Sequence, residues 1–253
     1  MTFAARLRGR ERIAGIWQVT PSPVISERLA LLGFDYICLD MQHGLIDYAS
    51  FLASVTAVDA AGGVAIGRPA ANDLASIGRL LDAGVQGVIV PLVNSAEEAA
   101  AAVSACRYPP AGTRSYGPSR SGLRIGPDPR AADEAVACVV MIETRGALDD
   151  IERICHIPGL DGVYVGPSDL ALALGAPRPG DVSGTPEFAR ALKRIKVAAE
   201  DAGIACGMHC HRAEDAARHL DDGFTFATAC SDVSLFEEAA RAALRTVKPS
   251  PPS

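Results

Sequence analysis

Eight short, nearly continuous apolar runs recur along the 253 residues, at 14–19, 35–39, 63–67, 87–90, 138–142, 162–165, 204–208 and 225–228. Strands that are apolar at successive positions, rather than alternate ones, are buried on both faces, the condition of parallel strands covered by helices. The segments between them include 22–32, 74–83, 96–106, 147–155, 186–202, 213–222 and 235–245, rich in Ala, Leu, Glu and Arg at helical spacing. Glycine often precedes a strand, as in Gly33-Phe34-Asp35, Gly84-Val85-Gln86-Gly87, Gly159-Leu160-Asp161-Gly162, Gly203-Ile204 and Gly223-Phe224. A left-handed residue past a helix end explains that punctuation. Eight β-then-α units in about 250 residues is the size of one (β/α)8 TIM barrel. The expectation is therefore an α/β protein forming one domain over 1–253, with the Pro/Ser-rich 248–253 as a disordered tail. A doubly wound open sheet is the alternative; it calls for a Gly-rich first turn, and Gly15-Ile16-Trp17-Gln18 is not one.

Composition narrows the function. The formal charge is −6 and no basic stripe with interleaved aromatics occurs, which argues against nucleic acid as a partner. No stretch of 18 apolar residues exists, so no membrane span is expected, and the first eight residues lack the apolar core of a secretory signal. Seven cysteines without a C-x-x-C pair point to a reducing compartment, hence the cytoplasm. The lysines are Lys193, Lys196 and Lys248, none at a strand end, so a lysine Schiff base is not expected. G-x-S-x-G, Walker and G-x-G-x-x-G motifs are absent from suitable contexts.

A barrel of this kind carries its chemistry at the C-terminal ends of its strands. The polar residues there are Gln18, Asp40, Gln42, His43, Arg68, Glu143, Thr144, Asp169, His209 and His211. Glu143 and Asp169 are two hard oxygen ligands without a thiolate, suited to a divalent cation that completes its shell with water and substrate. The alternative is a rim salt bridge, for instance with Arg145. His43 can be a general base, a ligand or a hydrogen-bonded rim residue. Asp40 reads as support for the loop. Arg68 either stabilises a carboxylate or enolate oxygen or forms a rim ion pair. The pair His209 and His211 fits pocket lining or surface better than ligation, and no cysteine has an activating neighbour in sequence. The irregular stretch from Arg107 to about Pro129, read as following strand four, is expected to be functional or mobile, and 177–184 is a second Pro/Gly loop.

Several strings together are specific: Asp40-Met41-Gln42-His43-Gly44, Arg68-Pro69, Leu81-Asp82-Ala83-Gly84, Arg107-Tyr108-Pro109-Pro110-Ala111-Gly112, Ile142-Glu143-Thr144-Arg145, Gly166-Pro167-Ser168-Asp169-Leu170 and Ser231-Asp232. In this order the chain resembles the metal-dependent (class II) pyruvate aldolases of the 4-hydroxy-2-oxoheptanedioate aldolase, or hydroxyketoacid aldolase, family, within the phosphoenolpyruvate/pyruvate-type TIM barrels. The resemblance runs over residues 10 to 245. It implies that Glu143 and Asp169 hold Mg²⁺, Mn²⁺ or Co²⁺, that pyruvate chelates the ion, and that the backbone around Gly166 and Ser168 holds the other carboxylate oxygen. Arg68 would stabilise the enolate oxygen and hold the aldehyde. His43 would act as acid/base, with Asp82 reaching it from a neighbouring subunit. Gln18 is a further expected substrate contact. The implied reaction is reversible cleavage of a 4-hydroxy-2-oxo acid to pyruvate and an aldehyde through a metal-bound pyruvate enolate. The implied assembly is a homohexamer with the last helix, 235–245, exchanged between subunits.

Two positions depart from the resembled pattern: Met141 stands where one branch carries Gln, and Gln42 where that branch carries an acid. Both lower polarity near the expected metal. Alternative activities are an oxaloacetate-type decarboxylase, a lyase for CoA esters with Arg114, Arg120 and Arg124 as phosphate contacts, or a non-catalytic sensor of 2-oxo acids.

Overall fold

In the computed structural model, which describes residues 1–180 and 186–248, eight parallel strands close into a barrel in sequence order. They are β1 Ile13–Gln18, β2 Tyr36–Asp40, β3 Ala65–Arg68, β4 Gly87–Val90, β5 Ala137–Ile142, β6 Gly162–Val165, β7 Ala205–His209 and β8 Phe226–Ser231. All eight expected runs are strands. The helices outside them are α1 Phe3–Arg8, α2 Pro23–Leu31, α3 Tyr48–Ala60, α4 Leu74–Asp82, α5 Ala96–Cys106, α6 Pro129–Ala135, α7 Arg145–Asp149, α8 Ile151–Cys155, α9 Pro167–Ala173, α10 Pro186–Asp201, α11 Ala213–Asp221 and α12 Asp232–Val247. Polar caps start many of them: Ser22, Asp47, Asp73, Ser95 and Thr144 each accept the backbone N–H three residues on. The single helix expected over 147–155 is two, broken at Asp150, whose carboxylate instead accepts the Ala96 N–H at 2.7 Å.

Each strand divides its residues by parity between two cores. Outward positions such as Ile16, Ile37, Leu39, Val88, Val90, Val140, Ile142 and Val163 meet the helices. Inward positions, including Ile13, Trp17, Tyr36, Cys38, Ile66, Ile89, Val139, Met141, Tyr164 and Phe226, fill the barrel. Aromatic rings need space there, and glycine on the neighbouring strand supplies it. A Cβ on Gly15 would lie 2.2 Å from the Tyr36 ring, and one on Gly207 would lie 2.3 Å from that of Phe226. The floor is sealed by α1, whose Phe3, Ala4 and Leu7 are buried with this inner set. The rings of Phe3 and Tyr36 meet edge to face at 5.6 Å.

The stretch after Arg107 follows β4 and α5, in the expected order, and contains a 3-10 turn (Ser121–Leu123) and α6. Its arginines are tied to the ends of helices that run down toward the strand starts: Arg114 to Asp82, Arg120 to Asp59 and the Ala83 carbonyl. That places it at the floor of the barrel, away from the strand ends that carry the chemistry. Of the second loop, residues 181–184 lie outside the described residues, as do 249–253 of the expected tail.

The last helix is unlike the others. Every described residue of 235–248 is exposed, Leu235, Phe236, Leu244 and Val247 among them. Among the described residues, no helix is long and apolar enough to cross a membrane.

Candidate active site

One cavity of about 240 Å³ opens at the C-terminal ends of the strands, lined by residues that include Trp17, Asp40, His43, Arg68, Met141, Glu143, Gly166, Ser168, Asp169 and His209. Strand register assembles it. Asp40 and Arg68 are register partners on β2 and β3, and their side chains pair with two parallel hydrogen bonds. Arg68 Nε donates to Asp40 Oδ1 at 2.9 Å and Nη2 to Oδ2 at 2.5 Å. Trp17 Nε1 donates to the same Oδ2 at 3.1 Å, and the Arg68 guanidinium lies 5.1 Å from the Trp17 ring centroid. Asp40 Oδ1 further accepts the backbone N–H groups of Gln42 and His43, at 3.0 and 3.2 Å. Burial works against the Asp40 charge, yet the Arg68 hydrogen bonds and charge prevail and hold the carboxyl below its usual range. Arg68 is thus both an ion-pair partner and a cavity wall, the two readings open from the sequence. Asp40 is its clamp and the anchor of the His43 loop.

Across β5 and β6 the balance is reversed. The pairing Ile142↔Val165, continued by one residue, sets Gly166 opposite Glu143. Glu143 is 2% exposed. Burial is the main cause that pushes its carboxyl above the usual range; the Leu92 N–H opposes this and the charge of Asp169 adds to it. Among the described residues, the hydrogen bond from Leu92 N–H to Oε1, at 2.7 Å, is the one that reaches this carboxylate. Leu92 is aimed by a left-handed backbone, φ 54°, a conformation costly for a residue with a Cβ. Asp169 lies on the first turn of α9 and not at the tip of β6. Arg145 does not neutralise the pair: it reaches Glu187 at 3.4 Å and the Ala173 carbonyl at 3.3 Å. Two like charges, one buried and disfavoured, are a donor set that fits a divalent cation. Among the described residues no group of three or more His, Cys, Asp or Glu is arranged to hold an ion, so water and substrate would complete its shell.

Gly166 makes this approach feasible. A Cβ there would fall 2.4 Å from Glu143 Oε2 and 2.9 Å from Met141 Cε.

Two expected site residues lie elsewhere. Gln18 is outward on β1 because Trp17 is inward. Its amide donates to the Thr20 and Ser22 carbonyls at 2.9 and 3.1 Å and its carbonyl accepts the Ser26 hydroxyl at 2.8 Å. It is a buried brace between β1 and α2, not a cavity wall. Asp82 ends α4 at the barrel floor and accepts from Arg114 at 2.8 Å; within one chain it is remote from His43, which is exposed at the opposite end. The three arginines considered for CoA are likewise committed at the floor, Arg114 to Asp82 and both Arg120 and Arg124 to Asp59.

The structure gives roles to groups that the sequence leaves without one. Trp17 supports Asp40. The Leu92 N–H holds Glu143, and no side-chain pattern signals it. Asp232, at the start of α12, accepts the N–H groups of Val19 and Thr20 at 3.0 and 3.1 Å and closes the β8–β1 seam beside the cavity.

Comparison with known proteins agrees with the barrel fold. The family described as HpcH/HpaI aldolase/citrate lyase matches residues 14–239. A hydroxypyruvate/pyruvate aldolase from Rhizorhabdus wittichii is 39% identical over 234 residues, 92% of each chain. A 5-keto-4-deoxy-D-glucarate aldolase from Klebsiella pneumoniae is 35% identical over 240 residues, 94% of this chain and 93% of its own. The crystal structure of an HpcH/HpaI aldolase/citrate lyase family protein from Burkholderia cenocepacia superposes with a TM-score of 0.89 at 31% identity, covering 97% of this chain and 98% of the other. The chain belongs to the HpcH/HpaI aldolase/citrate lyase family and is a carbon–carbon lyase with an aldolase fold.

Proposed function

We propose that the protein cleaves 4-hydroxy-2-oxo acids reversibly to pyruvate and an aldehyde, using a divalent cation held by Glu143 and Asp169. The observation that carries this reading is the buried, under-neutralised Glu143 beside Asp169 in one cavity with Arg68 and His43. Mg²⁺, Mn²⁺ or Co²⁺ bound there would supply positive charge to the keto oxygen of pyruvate and lower the cost of its enolate.

The chain's own groups then have distinct tasks. The backbone around Gly166 and Ser168 receives the pyruvate carboxylate, in space that a side chain at Gly166 would take. Arg68, fixed in orientation by Asp40, presents its remaining N–H groups to the oxygen that gains charge and to the aldehyde. His43 takes the C3 proton of pyruvate and returns one to the alkoxide after the new carbon–carbon bond forms; cleavage is the reverse. A neighbouring subunit's copy of Asp82 would orient His43. The exposed apolar residues of α12 support an exchanged helix in a homohexamer, and seven buried, unpaired cysteines support a cytoplasmic setting.

The test is exchange of the pyruvate C3 protons with deuterium, without aldehyde present. Exchange should need added metal, stop with chelator, and disappear in Glu143→Ala and Asp169→Ala. Exchange that persists in chelator and in both variants would sink the proposal.

A further inference from the structure

The polar groups of the cavity differ in how far they are committed. Asp40 is saturated by Arg68, Trp17 and two backbone N–H groups. Glu143 and Asp169 face the proposed cation. His209, at the end of β7, is neither saturated nor charged, and nothing above gives it a role.

We propose that His209 determines specificity: its Nε2 accepts a hydrogen bond from a substrate hydroxyl next to the carbon–carbon bond being made or broken, so hydroxylated substrates are favoured over their deoxy analogues. This deepens the aldolase reading and rests on it.

A chain of hydrogen bonds inside the barrel sets the ring's tautomer. Tyr164 donates its hydroxyl proton to Thr228 Oγ1 at 2.6 Å. Its oxygen is then free to accept from His209 Nδ1, 3.3 Å away. Thr228 is held in turn by Tyr36, whose hydroxyl is 2.8 Å from the same Oγ1. With the proton on Nδ1, Nε2 carries a lone pair and is the ring's remaining polar atom. The ring itself is fixed: Trp17 meets it edge to face at 4.9 Å and His211 at 5.3 Å. Such an acceptor can take a hydrogen bond from a hydroxyl but has no hydrogen to offer an aldehyde oxygen and no bond to make with a methyl group.

Proton transfer is not its task. Burial, with the neighbouring His211 adding to it, pushes the imidazole down to about 3, so it stays neutral where the enzyme would work. The exposed His43 is the group placed to exchange protons. A neutral acceptor held by a buried relay is a recognition device, since leaving it unpaired beneath a deoxy substrate carries a cost.

The hydroxyl can belong to the aldehyde or to the 2-oxo acid, and two substrate pairs separate these. One compares glycolaldehyde with acetaldehyde, each with pyruvate. The other compares hydroxypyruvate with pyruvate, each with acetaldehyde. The wild type should favour the hydroxylated member of at least one pair by about 10- to 100-fold in kcat/KM. In His209→Phe that ratio should fall toward one, through loss on the hydroxylated substrate. His209→Gln, which restores an acceptor, should recover part of it. Tyr164→Phe, which frees the tautomer, should lower it without altering the cavity wall. If His209→Phe does not fold, Tyr164→Phe carries the test alone. Ratios that stay at the wild-type value in both pairs, or a wild type indifferent to both hydroxyls, overturn the proposal. Pyruvate C3 exchange by the wild type, with no second substrate, tests the underlying aldolase reading separately.

Discussion

Asp161, one residue ahead of β6, and Glu143, one residue past β5, are buried carboxylates on neighbouring strands, 3% and 2% exposed, yet they sit at opposite ends of the barrel in opposite surroundings. At the floor, Asp161 accepts from Arg8 at 2.6 Å, from Arg107 at 3.2 Å and from the Cys138 N–H at 2.7 Å. At the mouth, Glu143 has the Leu92 N–H and the adverse company of Asp169. One end is electrostatically complete within the chain. The other offers its carboxylate a single N–H among the described residues. The contrast teaches that burial of a charge by itself says little; the count of its internal partners separates a structural carboxylate from a functional one.

The strongest way to break this comparison is Glu143→Gln. It should lower aldol turnover by about 10³-fold or more, in line with loss of a group that stabilises developing charge. In chelator at neutral pH it should also raise Tm. A carboxyl whose folded pKa is raised costs stability in full above that pKa, and the cost fades as pH falls from there toward the ordinary carboxylate value of about 4.3, below which it is gone. The gain in Tm should therefore vanish in acid, and metal should stabilise the wild type alone. A variant less stable than wild type in chelator at pH 7 would place Glu143 in the same class as Asp161.

The mirror experiment is Asp161→Asn, which leaves the buried Arg107 without its carboxylate partner and should cost about 3 kcal/mol in denaturant unfolding. Turnover per folded molecule should hold. A selective loss of activity would mean that the two ends are not separable.

Arg68→Lys comes next. A point charge cannot reproduce the forked pairing with Asp40, and kcat/KM should fall by about 10²-fold. Full activity in this variant would show that the fork matters only for folding.

The smallest kinetic effect is expected at Gln18→Met. It should cost about 1–3 kcal/mol by leaving backbone carbonyls without donors, while the KM for pyruvate stays at the wild-type value. A raised KM would return Gln18 to the cavity.

The pattern of what could be read in advance follows from the physics of the barrel. Strands covered on both faces are continuously apolar, so all eight were visible as runs, and polar residues ending those runs flagged Glu143, Arg68 and His43. The same continuity hides parity. In Ile13-Ala14-Gly15-Ile16-Trp17-Gln18 nothing polar alternates, and Gln18 looked as near the pocket as Trp17. Gly15 was the available clue, because a glycine opposite a tyrosine marks the crowded inner face. Leu92 was illegible for another reason: its contribution is a backbone N–H turned by a positive φ, with a side chain that plays no part. The stretch after Arg107 reads as irregular, but which end of the barrel it covers depends on Asp82 and Asp59, the partners of its arginines far off in the chain. His209 was seen as a histidine at a strand end, but its tautomer depends on Tyr164 and Thr228, 45 and 19 residues away.

Gly166 has a consequence for how such a protein can change over time. Every other residue carries a Cβ that would enter the space of Glu143 Oε2, so a substitution there is accommodated only by moving that carboxylate. The rim formed by β7 carries its constraint lower in the strand, where Gly207 makes room for Phe226, and His209 at the strand end is bounded by the side chains of Trp17, Tyr164 and His211. A lineage built on this barrel can explore new substrates from the His209 side, while any change at Gly166 also moves the carboxylate beside it.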